Sequence, residues 1–224
     1  MITTTLNRIH EHWPAENGST PFRVNGWTTL LDGLGKTTAD DEPLPFATII
    51  KINGLNDAHV RCRAEPQYDR EWRLLMVAYA RRVQHLNTNP IVKNAIDVAE
   101  RYANGEATDE ELKTARDAIW SATYDVATNA YGLPASAEKE TSWIATWASR
   151  AAAEALAVVS ARAVSAASAN ALQAVRLEAE NNIEIAARTK KARMDAGWAA
   201  TVAEHKWQKQ EFLRVVTETE AHAP

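Results

Sequence analysis

Gly33-Leu-Gly35-Lys36-Thr37 is the first stretch of this chain whose residue types point to chemistry. Gly-Lys-Thr closes the phosphate-binding loop of nucleotide hydrolases, where backbone N–H groups and the lysine hold the phosphates. That loop also needs a glycine five residues before Gly35, and Leu30 stands there. No apolar strand leads into it, and Asp40, Asp41 and Glu42 follow and would repel phosphate. A turn that ends a short helix is the expected role. Metal binding would draw on His10-Glu11-His12 and His205, but two histidines two residues apart on a helix face different ways, and no His-Glu-x-x-His pair exists. Cys62 lies between Arg61 and Arg63, whose charges would favour a thiolate, yet no histidine partner is defined and packing in a short helix is expected. Asp40-Asp41-Glu42 suits a solvated loop better than a cation site. The chain has no Gly-x-Ser-x-Gly elbow, no Ser/His/Asp order and no paired-carboxylate signature. No enzyme, cofactor or metal site is expected.

Binding remains, and tryptophan and charge are the residues to follow. The eight tryptophans stand at 13, 27, 72, 120, 143, 147, 198 and 207. Large aromatics fill the gaps that alanine-rich helix surfaces leave, so most are expected in the core. Trp143 and Trp147, four apart, share a helix face and either anchor the C-terminal segment or serve as hot spots for a partner. Between Ala186 and Gln210, Arg188, Lys190, Lys191, Arg193, Lys206 and Lys209 stand against Asp195 and Glu204. Such a stretch faces solvent, nucleic acid or an acidic protein. Glu106 to Glu140 runs the other way, with eight acidic and three basic residues. Opposite-sign segments of this kind pair within a chain, pair between copies, or offer complementary patches to a partner. The candidate partner-binding residues are Trp143, Trp147, Arg188, Lys190, Lys191 and Arg193.

The elements that must position them follow from periodicity and from glycine and proline. Of 224 residues, 46 % are hydrophobic and 24 % charged, a globular balance, and the net charge of −4 argues against general nucleic-acid binding. One cysteine excludes an internal disulfide framework. The opening residues lack the basic and apolar regions of a secretory leader, and no apolar run reaches the roughly 18 residues of a spanning helix, so a cytoplasmic protein away from membranes is expected.

Residues 1–66 hold ten of the sixteen glycines and prolines, which predicts short helices and turns around Thr3–His12, Trp27–Leu34, Pro45–Ile52 and Leu55–Ala64. Residues 67–134 predict three amphipathic helices. The first carries Trp72, Leu75, Met76, Tyr79, Val83 and Leu86 on one face, with Asp69 as its cap. The second starts at Asn89-Pro90 and ends at Asn104-Gly105. The third opens on the capping box Thr108-Asp-Glu-Glu111, carries Leu112, Ala115, Ile119, Ala122 and Val126, and stops at Gly132-Leu-Pro134.

From 135 to 224 the chain is alanine-rich: nineteen of the fifty residues from Ala151 to Ala200 are alanine. A single rod of about 80 residues would span on the order of 120 Å, too long for this chain to cover. The segment must fold back or pack on a second copy. Breaks are expected at Ser165–Asn170, Asn181-Asn182 or Gly197, giving two or three helices. The fold class is all-α: a multi-helix domain followed by long alanine-rich helices, as a hairpin or a dimerisation arm.

Several stretches together carry a resemblance. They are Leu6-Asn-Arg-Ile-His10, Gly35-Lys-Thr-Thr-Ala-Asp-Asp-Glu-Pro-Leu44, Asn53-Gly-Leu-Asn-Asp57, Asp69-Arg-Glu-Trp72, and Asp97-Val-Ala-Glu-Arg-Tyr-Ala-Asn-Gly105 running into Thr108-Asp-Glu-Glu-Leu112. With the terminal Gln210-Glu-Phe-Leu-Arg214, they make nearly the whole chain similar to alanine- and tryptophan-rich helical proteins encoded by tailed bacteriophages and prophages. The middle also resembles helical immunity-type proteins. The C-terminal half departs from the phage pattern in being richer in Ser and Val and poorer in Trp. The resemblance implies a phage-encoded, non-enzymatic protein with no catalytic residues to carry over. The expected function is inhibition of a host protein complex by direct binding, of the anti-CRISPR type, with a homodimer expected. An immunity protein against a toxin, and a nucleic-acid-associated protein using the 188–209 face, are the other readings.

Overall fold

A computed structural model describes residues 1–12, 21–157, 161–182 and 190–219. Across them the protein is all-α, with ten α-helices and one pair of two-residue strands. The first half contains α1 (Leu6–His12), α2 (Pro21–Leu34), α3 (Phe46–Asn53), α4 (Leu55–Arg61), α5 (Asp69–Val83) and α6 (Pro90–Ala103). It is followed by α7 (Asp109–Gly132), α8 (Ala137–Ala155), α9 (Ala161–Asn181) and α10 (Lys190–Glu218). The strands β1 (Thr3–Thr4) and β2 (Leu44–Pro45) pair antiparallel, so the helix expected from Thr3 begins only at Leu6. Ile2, just before β1, donates its N–H to the Val216 carbonyl at 2.6 Å and accepts from the Phe46 N–H at 3.4 Å, tying the start of the chain to α10 and α3.

α5 is the central element, packed against α6, α8, α9 and α10. Its Trp72, Leu75, Met76, Tyr79 and Val83 are fully buried, as the 3.6-residue period requires. Each such side chain contributes roughly 1.5–3 kcal/mol of transfer free energy. Phe46, Trp72 and Phe212 gather three distant parts of the chain into one aromatic cluster with ring centroids 5.3–6.1 Å apart. Asp69 is the first residue of α5 rather than its cap, and Tyr68 occupies the cap position with no side-chain hydrogen bond.

The helix signals of the middle segment act as read. Asn89 accepts from the Ile91 N–H, and the Thr108–Glu111 capping box forms in both directions. Gly105 takes φ +75°, the left-handed turn after α6.

The alanine-rich segment divides into α8, α9 and α10, and α8 and α9 pack along each other. Ala163, Ala167, Ala171 and Ala174 recur on one face of α9, and α8 buries Ala148, Ala151, Ala152 and Ala155, so methyl groups let the axes approach closely. Two expected breaks are corrected. Ser165–Asn170 lies inside α9, and Gly197 lies inside α10. A Cβ at Gly197 would overlap the Glu180 side chain of α9, so this glycine serves helix contact and not termination. α8 instead ends at Ala155, where buried Arg73 of α5 donates to the carbonyls of Ala155 at 2.8 Å and Ala157 at 3.0 Å.

Candidate functional site

α7 has a second apolar side. Its Ala115, Ile119, Ala122, Thr123, Ala127 and Ala130 are buried against α6 and α8. With that face filled by small residues, Trp120, Tyr124 and Tyr131 stand in solvent, the two tyrosines 73 % and 74 % exposed. At 3.6 residues per turn these three fall within roughly 40° of one another, and roughly 150° from the Ala115–Ile119–Ala122 stripe. Glu110, Asp117 and Asp125 are exposed on the same helix, where five carboxylates stand against Lys113 and Arg116. α7 thus offers an aromatic row in an acidic setting.

α10 offers the counterpart. Gly197, Glu204, Gln208, Phe212, Val215 and Val216 face inward. Met194, Trp198 and Val202, at i, i+4 and i+8, face outward, Trp198 at 71 % exposure. Lys190, Lys191, Lys206 and Lys209 are exposed at the two ends of that row. Of the acidic residues there, Asp195 is exposed beside Met194 and Glu204 is turned inward, where Arg82 donates to it at 3.3 Å and Gln208 at 3.2 Å. Burial pushes the Glu204 carboxyl up, opposed by the bond and charge of Arg82.

The end of α7 and the start of α10 both reach the start of α8. Trp143 stands edge-on to Tyr131 with ring centroids 4.7 Å apart. Glu140, one turn earlier, accepts from Arg193 at 3.0 Å, beside Met194.

The residues singled out from sequence therefore separate. Trp143, half-buried, joins the α7 row, and Arg193 is held by Glu140, while Lys190 and Lys191 are free at the start of α10. Trp147 packs on the core under the Arg150 guanidinium, 4.8 Å from its ring centroid, and does not join the rows. Arg188 lies outside the described residues. Among the seven described tryptophans, Trp72 is fully buried and Trp27, Trp147 and Trp207 pack on the core, as expected of most of them, while Trp143 is half-buried and Trp120 and Trp198 are exposed. Sequence reasoning missed Trp120, Tyr124 and Tyr131, although the signal was there, since α7 already had a complete apolar stripe on its other side.

Of the other chemistry-bearing groups, His59 and Cys62 are buried, Lys36 is paired near the surface, and His10 and His205 are exposed. His59 Nε2 meets the Tyr79 hydroxyl at 2.9 Å in the core, and burial, then the charge of His205, lowers its pKa to about 3. Burial pushes the Cys62 thiol up, so Arg61 and Arg63 do not activate it; Arg61 is spent on Asp57 at 3.0 Å. Lys36 is clamped by Asp40 and Glu42 after the turn at Gly35, φ +68°. Among the described residues, no group of three His, Cys, Asp or Glu is placed to hold a metal, and no helix is long and apolar enough to cross a membrane. Comparison of the chain with protein-family models, curated proteins and solved structures finds no match.

Proposed function

We propose that this is a phage-encoded, non-enzymatic binding protein that inhibits a host machine, and that α7 is the face it uses. The observation that carries the reading is the outward row Trp120, Tyr124 and Tyr131 on an acidic helix. Rigid aromatics at the centre of a contact supply most of its energy, and surrounding charge selects the partner. An acidic aromatic face suits a basic surface of the kind that handles nucleic acid, which fits an anti-defence inhibitor of the CRISPR type. The phage origin rests on the sequence resemblance.

The test is affinity capture from a bacterial lysate with tagged wild-type protein and with a Trp120→Ala/Tyr124→Ala variant. The reading expects one stoichiometric nucleic-acid-binding complex, recovered by the wild type alone, that loses its oligonucleotide as the protein is titrated in. Equal recovery by both proteins would remove α7 from the function.

A further inference from the structure

We infer that a second copy of this chain covers the α7 row with its own α10 row, the contact repeating about a two-fold axis. The inference rests on the reading of α7 as a contact face and names what occupies that face in the isolated protein. α7 calls for an apolar surface rimmed by cations. The chain carries one: Met194, Trp198 and Val202 between Lys190–Lys191 and Lys206–Lys209, where four lysines outnumber the one exposed carboxylate, Asp195.

Net charge disfavours like pairing with like, with Lys113 the exposed cation beside the α7 row and Asp195 the exposed carboxylate in the α10 row. Antiparallel packing of α10 on a second α10 about Trp198 sets Lys190 opposite Lys206, and parallel packing sets each lysine beside its own copy. α7 on α7 gathers carboxylates in the same way. α7 on α10 sets Asp117 and Asp125 among lysines and places aromatic rings against Trp198 and ammonium groups.

The contacts Tyr131–Trp143 and Glu140–Arg193 bring the end of α7 and the start of α10 to the same first turns of α8. A stable interface covers about 1,600 Å² in total, and a two-fold axis doubles the area that one helix pair supplies.

The experiment uses purified full-length chain and sedimentation velocity over a concentration series at low and high salt. The wild type is expected to be a dimer that weakens as salt rises. Trp120→Ala/Tyr124→Ala and Met194→Ser/Trp198→Ala should each weaken self-association by at least about 10-fold. Mixing the two variants should recover self-association only in part, because the mixed dimer keeps one intact contact, α10 of the first on α7 of the second. Circular dichroism confirms that each variant is folded, and the reversal Asp117→Lys/Asp125→Lys mixed with Lys190→Glu/Lys206→Glu repeats the test without removing aromatics. A monomeric wild type, or charge-reversal variants whose mixture does not recover the dimer, overturns the inference. A monomer that still captures a host complex leaves the proposed function standing, and a dimer that captures nothing does the reverse.

Discussion

Arg73 of α5 donates from Nη1 to the main-chain carbonyl of Ala155 at 2.8 Å, at the point where the alanine-rich segment first turns. The guanidinium is only 4 % exposed, reaches Ala157 as well, and lies 5.0 Å from the Tyr102 ring centroid. The last carbonyls of a helix need donors, and here a charged side chain from 82 residues away provides them.

Replacing Arg73 by Ala should therefore cost about 3 kcal/mol, since it strands two carbonyls and empties a buried site. Arg73→Lys should recover only part of that, because an ammonium cannot span the fork. Urea unfolding of the three proteins checks both statements. A loss below about 0.5 kcal/mol for the alanine variant would mean that α8 ends for local reasons.

Much of the fold was legible because its signals are local. Thr108 and Glu111 cap α7 within one turn of sequence, and Asn89-Pro90 starts α6 in the same way. The division of the C-terminal segment was legible only at Asn181, the last residue of α9. The carbonyls at the break after Ala155 are met by Arg73, and the need for glycine at 197 comes from Glu180; both partners are remote in sequence. The candidate faces were half legible. Lys190 and Lys191 could be marked by composition, but the exposure of Trp120 and Trp198 depends on which helix faces the neighbouring helices fill.

Gly197 gives a sharper test of helix contact. Alanine should stabilise a helix interior by about 1 kcal/mol relative to glycine. In this protein the added methyl meets the Glu180 side chain, so Gly197→Ala should be neutral or destabilising. In a Glu180→Ala background the same change should stabilise by about 1 kcal/mol. Thermal unfolding of the four members of this cycle measures the coupling, and additive effects would show that α9 and α10 are not in contact there.

His59 sets an acid limit. Its folded pKa is lowered to about 3 by burial first, and by the charge of His205 second. The unfolded chain takes up the proton near pH 6.5, so stability is fully present above that value. It is lost as pH falls towards the folded pKa, at no more than about 1.4 kcal/mol per unit for this one group. His59→Phe should flatten that part of the stability–pH curve between roughly 6.5 and 4, at some cost from the unpaired Tyr79 hydroxyl. An unchanged slope in that window would show that other groups carry the acid response.

The outward row on α7 can be tested for purpose without knowing the partner. Trp72 is fully buried among Phe46, Tyr68 and Phe212, and Trp72→Ala should cost about 3–5 kcal/mol. Tyr124→Ala, at a site 73 % exposed, should change the stability of the separated chain by less than about 0.5 kcal/mol. Two aromatic truncations of such different cost would show that the fold does not depend on the Tyr124 ring, which leaves it available to whatever surface meets α7. Should Tyr124→Ala instead cost as much as a core substitution, the ring is holding α7 to α8, and the contact face must be sought on α10 alone.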